Sequence, residues 1–206
     1  MSSKMKLFSF LDQDVCEVST GKRVFAYIID WFCSALCLML PLCLVWMYKT
    51  QDLDGMSKVN LYRLNDVIGT SGALLAGAAG LLLLFWYMVY IPWKVTPGQT
   101  PGKRTMGFKI ARKDGQALSL KDLLVRQIVG LVIIEGILSS GSSMIRDMLS
   151  LSTGLNLGGV LYWIALIATI VSILFALFSP SRRMLHDYLA KTTLETVPFE
   201  REDESI

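Results

Sequence analysis

Histidine is almost missing from this chain: there is one, His186, in 206 residues. The four cysteines, Cys16, Cys33, Cys37 and Cys43, form no CxxC pair. These two shortages rule against a Cys/His zinc site. No HExxH, no Ser/His/Asp order with elbow glycines and no acid pair in a soluble cleft supports an enzyme. The expectation is therefore no catalytic residue, no metal and no cofactor. Cys33 and Cys37, one helical turn apart, read as small packing residues. Charge is scarce too. Charged residues make up 18% of the chain, against about 25% in an ordinary soluble domain. The net charge of +3 comes without the aromatic–basic platform or zinc spacing of a nucleic-acid binder, so no nucleic-acid partner is expected.

What the chain does have is apolar residues, 53% of the total, with a mean hydropathy of +0.49. They lie in blocks, which predict helices over about 24–48, 72–91, 123–139 and 157–178. A bilayer core of about 30 Å needs about 20 helical residues. The third block is the shortest and contains Glu135. The first block is too long for a signal-peptide core, holds Asp30 and lacks a small-x-small cleavage site. The fold expected is an all-α membrane protein with four transmembrane helices.

Basic residues set the orientation. The segment before the first helix, the 92–122 loop and the tail carry fifteen Lys and Arg, and the other two loops carry four: Lys49, Lys58, Arg63 and Arg146. An even helix count puts all three basic segments on one side, which predicts cytoplasmic termini in a plasma membrane. Trp86, Tyr87, Tyr90 and Trp93, then Trp46 and Tyr48, and Tyr162 and Trp163, sit where interfacial aromatic belts belong.

The polar stretch TPGQTPGKRTMGFKIARKDGQALSL, residues 96–120, interrupts the apolar pattern. It fails as a phosphate loop. Gly98 and Gly102 are one residue too close, and Arg104 stands where a hydroxyl is needed. MGFKIAR alternates like a short strand, Lys113-Asp114-Gly115 is a turn, and Gln116 to Leu118 is expected to return as a second strand. Ser119 followed by Asp122 is a helix-start signal. The expectation is a short cytoplasmic β-hairpin between the second and third helices.

Three motifs in order resemble the RDD family of small membrane proteins: RVFAYIID (Arg23 to Asp30), TPGKRTMGFKI (Thr100 to Ile110) followed by DGQALSL and Arg126, and RRMLHDYLAKT (Arg182 to Thr192). The resemblance spans about residues 20–196 and sets Arg23, Asp30 and Asp187 in the family's Arg-Asp-Asp positions. It implies one of two roles: proton-coupled cation transport, proposed for some members, or an adaptor role in membrane complexes, proposed for others. It also implies the inner membrane of a bacterial cell, since the family is mainly bacterial. The organisation expected is a cytoplasmic segment 1–22, an RDD-type domain 23–193 and an acidic, disordered tail 194–206.

The charged residues carry the functional expectation. Arg23 and Asp30 are seven apart, on nearly one helix face and about 10 Å apart along the axis. Arg23 and Asp187, both at the cytoplasmic interface, are expected to pair. This trio reads either as a clasp or as the mouth of an ion pathway with Asp30 exchanging its ion, because intramembrane carboxylates are costly and tend to be functional. Glu135 would lie about 18 Å along the third helix, where burial favours a neutral, protonatable acid. Arg126 is an interfacial anchor or a third cation competing for Asp30. His186 is a pH-sensitive neighbour of Asp187 or a plain surface residue. Gly72, Ala76 and Gly80, with Ala73 and Gly77 and with Gly154 and Gly158, make small-xxx-small faces for self-association or for internal packing. The expected partners are the lipid bilayer, another copy through those faces, and a cytoplasmic or membrane protein.

Overall fold

The computed structural model describes residues 17–197; the expectations for residues 1–16 and 198–206 lie outside them. Helix α1 runs Thr20–Thr50, opened by the Ser19 hydroxyl, which accepts from the Lys22 N–H. Its buried residues are Ala26, Asp30, Ser34, Leu38, Leu42 and Trp46, one every fourth position. That stripe faces the protein, while Phe25, Ile28, Phe32, Leu36, Leu40 and Leu44 stay exposed. An apolar exterior around a partly polar interior is stable only with lipid outside.

After a one-turn α2 (Leu53–Met56), helix α3 covers Leu61–Phe85 and continues as π-helical turns through Trp86–Val95. Gly69 breaks it with φ +74°, a left-handed conformation that costs glycine little. The first two turns fold back at this break, so that the Leu61 side chain packs beside Gly77. Sixteen residues of unbroken helix would separate those positions by about 24 Å. Gly80 presses on α1: a Cβ there would lie 2.8 Å from the Leu38 carbonyl oxygen. Ala73, Ala76, Gly77 and Gly80 are buried within the chain, so this small-residue face packs internally.

Three helices are long and apolar enough to cross a membrane: Thr20–Thr50, Leu61–Val95 and α7, Leu157–Phe178. The expected third helix over 123–139 is not one continuous helix. One turn of α5 (Leu120–Leu123) leads into π-helical turns Leu124–Ile134 and a 3-10 turn Gly136–Leu138. Helix α6 (Ser140–Thr153) then begins afresh. The sequence around the break, Gly136 and then SSGSS running into the first turn of α6, is built of poor helix formers. Helix α6 lies antiparallel to α3, with Gly141 at Leu84 and Met148 at Gly77. Helix α7 turns Ala165, Thr169 and Ser172 inward and leaves Ile164, Ile167, Ile170 and Leu177 exposed.

The expected hairpin is also corrected. Strand β1 (Phe108–Arg112) pairs antiparallel with β2 (Thr192–Thr196), beyond the short α8 (Leu185–Leu189). The turn at 113–115 forms, with Gly115 at φ +73°, but Gln116 to Leu118 do not return as a strand. Ser119 is already committed as a helix cap in a reciprocal pair with Asp122, leaving three residues. The distant TTLET supplies five alternating ones, with Leu194 facing inward beside Ile110. Residues 194–196 therefore belong to the sheet, not to the tail.

The α1–α3 contact yields a direct test. Gly80→Leu must push the helices apart and should cost about 1–3 kcal/mol, read as a lower Tm of the detergent-solubilised protein. An unchanged Tm would mean the backbones do not meet there.

Candidate functional site

The polar stretch closes over α1. Thr100 occupies the position before the one-turn helix α4 (Pro101–Thr105) but gives its hydroxyl to Asp30 and not to the helix, Pro101 takes the first position, and the turn is laid against Asp30. The Asp30 carboxylate, 3% exposed, accepts at Oδ1 from Tyr87 Oη (2.8 Å) and the Gly102 N–H (3.0 Å). At Oδ2 it accepts from the Thr100 hydroxyl and from Lys103 Nζ at 3.1 Å. Four donors meet four lone-pair sites, which offsets the desolvation of a buried carboxylate. Glycine is required at 102, because a Cβ would fall 2.7 Å from Asp30 Oδ1. The Gly-Lys pair thus holds an anion after all: the anion is the chain's own aspartate.

Asp187 sits in α8, one helix turn past the buried loop after α7. Its salt bridge runs to Arg126, Oδ1 to Nη2 at 2.6 Å and to Nε at 3.0 Å. The Met184 N–H holds Oδ2 at 3.2 Å. Arg23, expected to pair with Asp187, lines the same cavity as that carboxylate and acts on it through its charge. Arg126 makes the forked bridge, and Arg23 also donates to the Arg182 carbonyl. Arg126 does not compete for Asp30; Lys103 holds that place. Burial alone raises the Asp187 pKa, but the Arg126 guanidinium, His186 and Arg23 together outweigh burial and hold the carboxyl well below the usual carboxylate range.

Glu135, fully buried, closes the third part of the network. It accepts from Ser172 Oγ of α7 at 2.7 Å, from the His186 N–H at 2.9 Å and from His186 Nδ1 at 2.8 Å. The expected lone acid in the middle of a continuous helix is instead the point where the helix stops, its side chain turned onto α8. The far ring nitrogen of His186 lies 3.3 Å from Arg126 Nη2. Arginine can only donate, which assigns the Nδ1 proton to the Glu135 side. Asp187, Arg126, His186 and Glu135 therefore form one continuous chain of hydrogen bonds.

A cavity of about 140 Å³ lies between these groups, lined by Arg23, Asp30, Lys103, Arg126, Gln127 and Asp187 among others. The Gln127 amide nitrogen is buried and finds no hydrogen-bond partner among the described residues. Among the described residues no three His, Cys, Asp or Glu side chains gather to hold a metal. The site thus unites all six residues singled out from sequence: Arg23, Asp30, Arg126, His186 and Asp187 line the cavity, and Glu135 is hydrogen-bonded to His186 behind it. Sequence reasoning missed Tyr87, Thr100, Gly102, Lys103, Gln127 and Ser172. Of these only Thr100-Pro101 carried a readable signal, a cap-forming residue type followed by proline at a helix start.

Two outcomes follow for the buried bridge. Arg126→Met should cost about 3–5 kcal/mol by stranding Asp187, and Arg126→Met with Asp187→Leu should cost less than either change alone, both read from Tm. The Asp187 carboxyl is depressed in the folded state, so its contribution is complete above the unfolded value of about 3.9 and is lost as pH falls below that. The stability gap between wild type and Asp187→Asn should stay level from neutrality to about pH 4 and shrink beneath it. A gap that shrinks above pH 5 would place the controlling titration elsewhere.

No curated protein and no solved structure matches the chain. A family model, the RDD family, matches residues 18–191, which take in Arg23, Asp30, the TPGK turn, Arg126, Glu135 and Asp187. On the strength of that match, the chain belongs to the RDD family.

Proposed function

We propose that this protein is a small proton-linked transporter of cations or other small solutes, with the cavity beside Asp30 as part of the path. The observation that carries this reading is the cavity itself, bordered by Asp30, Lys103, Arg126 and Asp187, with a buried Gln127 amide nitrogen that the described residues leave unsatisfied. Such a donor is satisfied by a water or by an acceptor atom of a solute, and a cavity of this size holds several waters. The hydrogen-bonded His186–Glu135 pair supplies a buried imidazole and carboxyl of the kind found in proton relays, with Arg126 as a fixed charge beside it. The helix interrupted at 135–139 also fits, since broken helices border ion and solute sites in transporters.

On this reading the third crossing is made in two pieces, residues 120–138 and 140–153, for four crossings in all. Both termini and the 92–122 loop then face the cytoplasm of a bacterial cell, as the Lys and Arg bias requires. A non-transporting adaptor is the second reading. It is favoured by one observation: Asp187 and Glu135 are each closed by donors from the chain, as a permanent clasp would be.

Flux into proteoliposomes separates the two. As a transporter, wild type carries proton-driven flux and Asp30→Asn loses it beyond any loss of folded protein; its Tm also falls, because an amide NH2 cannot accept from Lys103. As an adaptor, neither protein carries flux and Asp30→Asn only lowers Tm. A stable, fully active Asp30→Asn would defeat both readings. Topology is checked separately, in a background freed of native cysteines. Cysteines at 58 and 152 should react with an impermeant reagent from outside intact cells, and one at 116 should not.

A further inference from the structure

The two aspartates of this site are held by different kinds of cation. Asp187 is bound by a guanidinium through two nitrogens, both partners buried. A forked, always-charged group of that geometry makes a fixed bridge. Asp30 is bound by one ammonium on a flexible four-carbon stem, and the Lys103 side chain is 15% exposed. Lys103 Nζ stands 3.1 Å from Asp30 Oδ2 and 3.1 Å from Thr100 Oγ1. It sits between two oxygens, the ligand type that hard monovalent cations take.

The remaining donors do not depend on Lys103. Tyr87 Oη and the Gly102 N–H hold Oδ1, and the Thr100 hydroxyl holds Oδ2. The ammonium can therefore withdraw while the carboxylate stays in place, and the cavity that both residues line gives it somewhere to go.

The geometry points to a monovalent cation site at Asp30 Oδ2 and Thr100 Oγ1, with Lys103 as a tethered cation that fills it until an alkali ion takes its place. This rests on the transport reading above and adds its cargo seat and its built-in competitor. It also gives a reason for carrying lysine rather than arginine at 103. An arginine fork would lock the carboxylate, whereas a single ammonium exchanges one-for-one with sodium or potassium and leaves the net charge of the seat unchanged.

The consequence is a rise in affinity when a side chain is removed. If Lys103 fills the seat nine-tenths of the time, its loss lowers the half-saturating cation concentration about tenfold. The full chain is reconstituted, and sodium- and potassium-dependent, proton-driven flux is measured for wild type, Lys103→Met, Lys103→Arg and Thr100→Val. Lys103→Met should half-saturate at about one-tenth of the wild-type concentration. Lys103→Arg should need more cation than wild type, and Thr100→Val, which loses an oxygen ligand, should also need more. A purely structural lysine would change the amount of folded protein but not these concentrations.

A binding readout stands apart from flux. In detergent, sodium or potassium should raise the Tm of Lys103→Met more than choline at equal ionic strength, and more than either ion raises that of wild type. Flux that persists with an unchanged or higher half-saturation in Lys103→Met overturns the tethered-cation site and leaves the transport reading standing. Absence of cation-dependent flux in wild type, together with no cation-specific Tm rise in Lys103→Met, removes both. Should Lys103→Met fail to fold, the site is overturned if Thr100→Val and Lys103→Arg half-saturate like wild type.

Discussion

A carboxylate placed inside an apolar helix has to be neutralised, and in this protein the architecture of one half of the molecule follows from that requirement. Asp30 lies among exposed phenylalanine, isoleucine and leucine residues on α1. An unpaired charge at such a place costs about 2.5–3.5 kcal/mol on insertion scales. The 96–105 segment is folded back to supply a hydroxyl, a backbone N–H and an ammonium, and Tyr87 adds a phenol from α3. Once that turn is fixed, the Gly98 carbonyl accepts from the Ile110 N–H and Gly107 leads into β1, which sets where the sheet can form.

The same requirement acts a second time around α8. Chain leaving α7 is turned back so that His186 and Asp187 meet Glu135 and Arg126. Each of these groups would be costly alone in a low-dielectric setting, and each is hydrogen-bonded by the others. The break after Ile134 belongs to this arrangement. A continuous helix would carry Glu135 past α8, whereas stopping it there lets three donors converge on the carboxylate. The Ser139 to Ser143 region that follows has little helical preference to resist the break.

Around this polar centre the packing is simple. Small residues on α3 meet the backbone of α1, and every fourth residue of α1 faces inward. In lipid, close contact between backbones replaces the hydrophobic drive that would hold a soluble bundle. The chemically distinctive part of the molecule is therefore confined to one end, where the cavity, the ion pairs and the two-stranded sheet are joined.

The sequence by itself determined the apolar helices, the Ser119 cap with Asp122, the turn at Gly115 and the six charged residues of the site, because these depend on hydropathy, local hydrogen bonding and the cost of buried charge. It did not determine who pairs with whom. Arg126 forms the forked bridge to Asp187, Lys103 holds Asp30, and β1 pairs with the distant strand Thr192–Thr196 instead of its neighbour. Pairing across such separations is decided by where several elements place their backbones together. Helical periodicity reports which face of one helix is inward, but it carries no record of which distant side chain arrives opposite.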